Sequence, residues 1–420
     1  MPKQLHKSFQ DVQLRRFLDS YLNKSVKLPN LLQVLKIGRS RFFALLKAYR
    51  KDPANFSIAY KRRRATRRVD PAVRENILQE LRIEKRLIAD RRNPLRSYNY
   101  SYIKNRLWET QGQKVSVPTI IKLARENDFY RPRPHRQAHD RVVLTNYIGE
   151  LIQHDSSEHL WAPLAEEKWH LITSLDDYSR RLLYADLVER ETSWDHISAL
   201  ENVVLRYGIP ANYYTDSHSI FRFVQGRDSN WRTHHLLTDD VDTQWKLVLK
   251  ALGIDPTYAL SPQAKGKIER PYGWLQDHIV RTCARENIKA IQDAREVLRI
   301  EVDRYNNHQV HSTTGEIPAY RFNRAKREGR SLFRAFAVPA HLRSTKDIFC
   351  LRVDRVADAY RQVSFSNLQF KLKGVSPRDR VQLRIVPDFE KDLAEIRFWH
   401  EQNFLGAQKI KLGDLKLVHF

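Results

Sequence analysis

The chain has 420 residues, 41% of them hydrophobic and 29% charged, which is enough apolar material for packed cores in about three domains of roughly 100–200 residues and excludes wholesale disorder. Two cysteines, Cys283 and Cys350, are too few for a disulfide framework or a cysteine-based zinc site, and they fit a reducing compartment. With no run of about 18 apolar residues and no apolar core in the first ten residues, MPKQLHKSFQ, neither a membrane span nor secretion is expected, and a cytoplasmic location is.

The formal charge of +25 is unevenly spread: +22 over residues 1–143, −6 over 144–312, +4 over 313–339 and +5 over 340–420. A cationic first third joined to a mildly acidic middle assigns polyanion binding and some other task to different segments. Nucleic acid is the expected partner.

Taken in chain order, residues 8–23 read as an amphipathic helix. Leu31, Leu32, Leu35 and Ile37 then precede a turn at Gly38, and Phe42, Phe43, Leu45 and Leu46 follow it at helical spacing. This is a helix-turn-helix pattern, with Ser40 as a candidate cap and Arg39, Arg41, Lys47 and Arg50 as the cationic face offered to DNA. KRRRATRR (61–68) links it to a second unit, in which 71–87 and 98–109 read as helices and Ser116 and Pro118 open another. There Ile120, Ile121, Leu123 and Ala124 turn inward, leaving Thr119, Lys122 and Arg125 for DNA. The expected boundaries are 1–60 and 61–130 for the two helix-turn-helix units and 131–143 for a basic linker.

From about residue 144 the pattern changes to strands at 147–161 and 168–190, a helix at 193–208, a strand at 212–221, a helix at 239–253, a strand at 255–260 and a helix at 264–287. Strands followed by alternating helices imply an α/β sheet with helices on its faces. A second basic linker is expected at 321–345. Residues 346–412 follow with short strand-like stretches that suit a small β-barrel.

The middle segment also supplies candidate chemistry. Asp155 and Asp216 end apolar strands, and Glu269 sits on a helix that opens with Ser261-Pro262. Strand ends and an adjoining helix can bring three carboxylates together, where their mutual repulsion calls for a cation and their hard oxygens suit Mg²⁺ or Mn²⁺. Two such ions would support in-line phosphoryl transfer without a covalent protein intermediate. Lys265, Lys267 and Arg270 surround Glu269 and are candidates to hold DNA phosphates. His159 and His218 read as structural histidines, His234-His235 lacks partners at zinc spacing, and Trp161, Trp169, Trp245 and Trp274 read as packing residues.

QHDSSEHLW around Asp155, YYTDSHSIF around Asp216, SPQAKGKIER around Glu269 and YNNHQVHSTTGEIPA at 305–319 resemble, in that order, the catalytic blocks of DDE insertion-sequence transposases of the retroviral-integrase superfamily, above all ISNCY-type transposases. The resemblance covers roughly residues 145–320 and implies an RNase H-like integrase catalytic core over 144–320. It carries Asp155, Asp216 and Glu269 over as a catalytic, metal-binding triad. It further implies binding to terminal inverted repeats, metal-dependent strand cleavage and strand transfer into target DNA, and a homo-oligomer assembled on double-stranded DNA at the prokaryotic nucleoid. Two features depart from the family pattern: the long Asp216-to-Glu269 spacing, with 221–240 as an apparent insertion, and His154, where related sequences carry an aliphatic residue. The alternatives are a DNA-binding regulator with a vestigial core and an RNase H-like nuclease without strand transfer.

Overall fold

The computed structural model describes residues 5–59, 69–132, 145–215, 220–221, 242–254, 256–258 and 269–415. The chain divides into two compact units, Met1–Pro71 and Ala72–Phe420.

The first unit is helical, with α1 (Asp11–Leu22), α2 (Leu28–Leu35) and α3 (Arg39–Lys51). Apolar residues at helical spacing, Leu14 and Leu18, Leu31 and Leu35, and Phe42 and Leu46, meet in one core with Phe56. Tyr49 of α3 donates to Asp19 of α1 at 2.8 Å, and Asp11 accepts from the Ile58 amide at 2.8 Å, so the chain after α3 is fastened back to α1. The expected α2–α3 turn is present, but its chemistry differs from the sequence reading. Lys36 takes the left-handed conformation (φ +52°) that ends α2, and Gly38 rather than Ser40 holds the cap position of α3. Ser40 falls inside the first turn.

The second unit begins with α4 (which starts at Pro71 and runs to Ala89), α5 (Tyr100–Gln111) and α6 (Val117–Glu126). Asn99 caps α5 by accepting from the Ser101 and Tyr102 amides, and Gly112 ends it at φ +64°. Ser116 caps α6 as the sequence suggests, with Pro118 in the first turn. Ile77, Leu81, Ile103, Leu107, Ile120 and Leu123 form the core of these three helices.

Next come β1 (Ile152–His159), β2 (Trp169–Asp176), β3 (Leu182–Val188), α7 (Ser193–Tyr207), β4 (Tyr213–Thr215), α8 (Gln244–Ala251), β5 (Pro256–Tyr258), α9 (Glu269–Arg285), α10 (Ile291–Asn307) and α11 (Pro318–Arg327). The strands make one mixed sheet in the order β3-β2-β1-β4-β5. β1, β2 and β3 are antiparallel neighbours, while β4 runs parallel to β1 and β5. The expected α/β core, a mixed sheet with helices packed on it, is therefore present. Leu171, Leu175, Leu182 and Leu187 pack with α9 and α10, whereas Ile152, Leu183 and Tyr213 pack with α7 and α8.

The tail holds β6 (Leu351–Val356), β7 (Gln362–Phe365), β8 (Leu368–Lys371), β9 (Arg380–Asp388), β10 (Leu393–His400) and β11 (Asn403–Lys411). Among the described residues these strands do not close into the expected barrel. They form a four-stranded antiparallel sheet, β11-β10-β9-β6, and a separate β7–β8 hairpin. The sheet satisfies its apolar face another way. Ile348, Phe349, Leu351 and Val353 share a single core with Trp245, Val248 and Leu249 of α8, and the Gln244 amide bonds both backbone groups of Arg352.

The segment expected as a linker, 321–345, is likewise built into the body. α11 runs across its start and buries Phe322 and Ala325. The backbone of Ile148 meets that of Arg330 and Leu332, and Ile209 exchanges two 2.8 Å hydrogen bonds with Arg334. Gly208 (φ +104°) makes this approach possible, because a Cβ there would sit 2.5 Å from the Arg334 carbonyl oxygen. Among the described residues no helix is long and apolar enough to cross a membrane.

Candidate active site

Asp155 is the fourth residue of β1, not its end, since the strand runs on to His159. Its position is nevertheless special. β4 pairs with β1 only at Ile152 and Gln153, so Asp155 lies just beyond the point where the parallel neighbour stops. On the other side Asp155 stands opposite Thr173 of β2. The buried Thr173 hydroxyl is hydrogen-bonded at 2.8 Å to the Tyr272 hydroxyl, in the first turn of α9. That contact sets the described beginning of α9, which carries Glu269, against the strand pair that carries Asp155.

Successive residues of a strand face opposite ways, so His154 points away from the Asp155 side. It is buried, and its ring joins a continuous polar chain. Nδ1 meets Ser174 Oγ at 2.9 Å, Nε2 meets His196 Nδ1 at 2.8 Å, and His196 Nε2 meets Glu191 at 2.8 Å. Glu191 also accepts from Ser156 at 2.6 Å and lies 3.4 Å from His170. Burial, reinforced by His196, holds the His154 imidazole well below the usual histidine range, so it stays neutral. The His154 ring stacks on Trp245, and Phe221 packs edge-on against both histidines, at 5.6 Å from His154 and 4.8 Å from His196. Phe221 closes the YYTDSHSIF block. Two hydrogen bonds to its carbonyl oxygen, from Thr243 and Tyr258, fix the chain shortly after Asp216.

The remaining sequence candidates are distributed as follows. Arg39, Arg41, Lys47 and Arg50 are exposed on α3, with the Arg39 guanidinium 5.9 Å from the Phe43 ring. On α6, Lys122 and Arg125 are exposed. Lys122 pairs with Glu126 at 3.7 Å and Arg125 lies over Tyr130 at 4.4 Å. Thr119 is half-buried and its hydroxyl is tied to the Ser116 cap at 2.8 Å. Asp216, His218, His234-His235, Lys265 and Lys267 lie outside the described residues, as do the side chains of Glu269 and Arg270. Among the described residues no group of three or more His, Cys, Asp or Glu gathers as a metal site. His159, expected as structural, lies against Trp161 at 5.5 Å, and burial lowers its pKa. Trp161, Trp169 and Trp245 are buried, and Trp274 packs on His278 and Tyr305. The sequence reading missed Thr173, Tyr272, His196 and Glu191. Only Tyr272 carried a local signal, three residues after Glu269 on the same helix.

No family model matches the chain. A candidate transposase of Sinorhizobium fredii, y4bF, is 30% identical over 202 residues, which is 48% of this chain and 42% of that protein. The chain is a relative of transposases. A second such relative, the transposase for insertion sequence IS1202 of Streptococcus pneumoniae, is 26% identical over 234 residues, 48% of this chain and 49% of that protein. The chain thus spans less than half the length of either curated transposase it matches. Among solved structures, the HTLV-2 integrase catalytic core domain in complex with magnesium aligns over 41% of the chain and 95% of that domain, at 16% identity and a TM-score of 0.30. The simian T-cell lymphotropic virus intasome, in complex with PP2A regulatory subunit B56 gamma, aligns over 73% of the chain and 92% of that chain, at 15% identity and a TM-score of 0.32. The two transposase relatives agree with the resemblance carried by the motifs between residues 145 and 320.

Proposed function

We propose that the protein is a DDE transposase that binds the terminal inverted repeats of an insertion sequence and catalyses DNA strand cleavage and strand transfer. The observation that carries this reading is the Thr173–Tyr272 hydrogen bond, which sets the start of the Glu269 helix against the strand neighbour of Asp155. In this reading residues 144–320 act as an RNase H-like core. Asp155, Asp216 and Glu269 are the catalytic acids and would hold Mg²⁺ or Mn²⁺, in two-ion form, a fit that rests on their all-carboxylate oxygen chemistry. Ions held there would lower the pKa of a water or 3′-hydroxyl and stabilise the leaving oxygen.

The protein's own residues do the rest. Lys265, Lys267 and Arg270 hold the DNA end by its phosphates, so that the scissile bond meets the acids in a fixed orientation. The helix-turn-helix units at 1–60 and 61–130 read the terminal repeat, with Arg39, Arg41, Lys47 and Arg50 on α3 and Thr119, Lys122 and Arg125 on α6 directed at the duplex. The basic stretches at 61–68 and 131–143 lie along its backbone. Joining two element ends requires at least two protomers, so the working form is a homo-oligomer on DNA in the cytoplasm, at the nucleoid.

The test is a strand-transfer assay on DNA carrying the sequences that flank the gene. Purified protein with Mg²⁺ is expected to nick the element end and join it to a target plasmid. Asp155→Asn, Asp216→Asn and Glu269→Gln are each expected to drop both steps to background while gel-shift affinity for the same DNA holds. Nicking without any joined product would reduce the protein to a nuclease. Unchanged activity in all three variants would refute the assignment of the acids.

A further inference from the structure

Trp108, near the end of α5, leaves half of its surface (50%) exposed, while its neighbours Ile103 and Leu107 are fully buried in the helical core. It borders a groove of about 580 Å³ lined also by Lys104, Asn105, Lys114, Arg304 and His308. That size is within the roughly 300–1,000 Å³ range of small-ligand pockets. The Lys114 ammonium lies over the indole ring, 4.8 Å from its centroid, which places a cation on the electron-rich face that a stacking base would take from it. Arg304 is held in place by Glu109 and Glu301. Lys104 and Lys114 form no ion pair among the described residues.

These groups suit one kind of ligand. A flat aromatic face flanked by cations and a side-chain amide is the equipment that stacks a nucleobase, reaches its edge and meets its phosphate. A base inside a duplex has both faces covered by its neighbours, so only an unpaired nucleotide can use the indole. The carbonyl ends of α5 and α10 border this groove. Their partial negative charge opposes phosphate, so the base supplies most of the affinity. The location is apt as well. Arg304 precedes Tyr305, which packs 5.6 Å from Trp274, on the helix that carries Glu269.

We propose that the Trp108 groove binds an unpaired nucleotide of a single-stranded DNA segment, with the base stacked on the indole and the backbone met by Lys104 and Lys114. The inference rests on the proposed function only in that DNA ends are handled nearby. Its test measures binding alone, by fluorescence anisotropy of the full chain without divalent metal, on a blunt duplex and on the same duplex with a short single-stranded overhang. The wild-type chain is expected to prefer the overhang. Trp108→Ala is expected to weaken overhang binding about 5–150-fold, the equivalent of stacking one base, and to leave blunt-duplex affinity unchanged. Trp108→Phe should retain most of the preference, and Lys104→Ala/Lys114→Ala should lose part of it, with thermal melts confirming that each variant folds. An equal preference in wild type and Trp108→Ala, or no preference in wild type, overturns the groove as a nucleotide site. A failed strand-transfer assay beside an intact overhang preference would instead remove the catalytic reading and leave this one standing.

Discussion

At the scale of single residues, His154 shows how a polar side chain can sit beside Asp155 inside a core. Its two ring nitrogens are both used, by Ser174 and His196, and His196 passes the chain on to Glu191 at the edge of the sheet. Replacing it with the aliphatic residue that the family pattern favours removes one imidazole and leaves the His196 nitrogen and the Ser174 hydroxyl buried without that partner. His154→Leu is therefore expected to lower unfolding free energy by about 1–3 kcal/mol, read by urea denaturation. The double variant His154→Leu/His196→Leu should recover part of that loss, because it removes the stranded imidazole as well. A single variant as stable as wild type would show that the chain of hydrogen bonds contributes nothing.

At the scale of elements, α9 is held from two sides. Besides meeting the sheet through Tyr272, it carries Arg281, which is fully buried and bonded to Glu84 of α4 and, at 2.8 Å, to Asp277. One turn on, Arg285 pairs with Glu80 at 2.8 Å. Arg281→Met would strip both Glu84 and Asp277 of their buried partner, and a loss of about 3–5 kcal/mol is expected in chemical denaturation. Burial, outweighing the two arginines, pushes the Glu84 carboxyl up to about 7 from its ordinary 4.5. The folded protein thus holds this proton over a range where the unfolded chain has released it. The contribution of Glu84 is complete below pH 4.5 and declines as pH rises toward about 7. Melting temperature should fall across that window, and Glu84→Gln should flatten the fall.

The sequence made the long elements readable for the same reason that they are stable. α1, α4, α6 and α7 each repeat buried residues every three or four positions, and β9 alternates strictly. What escaped was non-local. The Asp155–Thr173–Tyr272 alignment depends on strand register and helix docking, which no local pattern encodes. β11 escaped because its residues are mostly half-buried or exposed, so its pattern is weak. The barrel expectation came from strand patterns that cannot report whether a sheet closes on itself or, as here, covers its apolar face with α8.

For the molecule as a whole, the division falls elsewhere than composition suggests. Residues 1–71 form one compact unit and everything from Ala72 onward the other, with the five-stranded sheet and the tail sheet sharing one apolar core. A fragment of residues 72–420 is expected to unfold cooperatively in calorimetry, near the main transition of the full chain. A fragment ending at residue 345 should lose that transition, because it exposes Trp245, Val248 and Leu249. Equal cooperativity in both fragments would show that the tail is an appendage.

The strap at 330–334, laced to Ile148 and Ile209 through the space that Gly208 leaves open, has an evolutionary corollary. Recombination near the strap would unpick the sheet that bears Asp155, so segments on either side of residues 330–334 are inherited together.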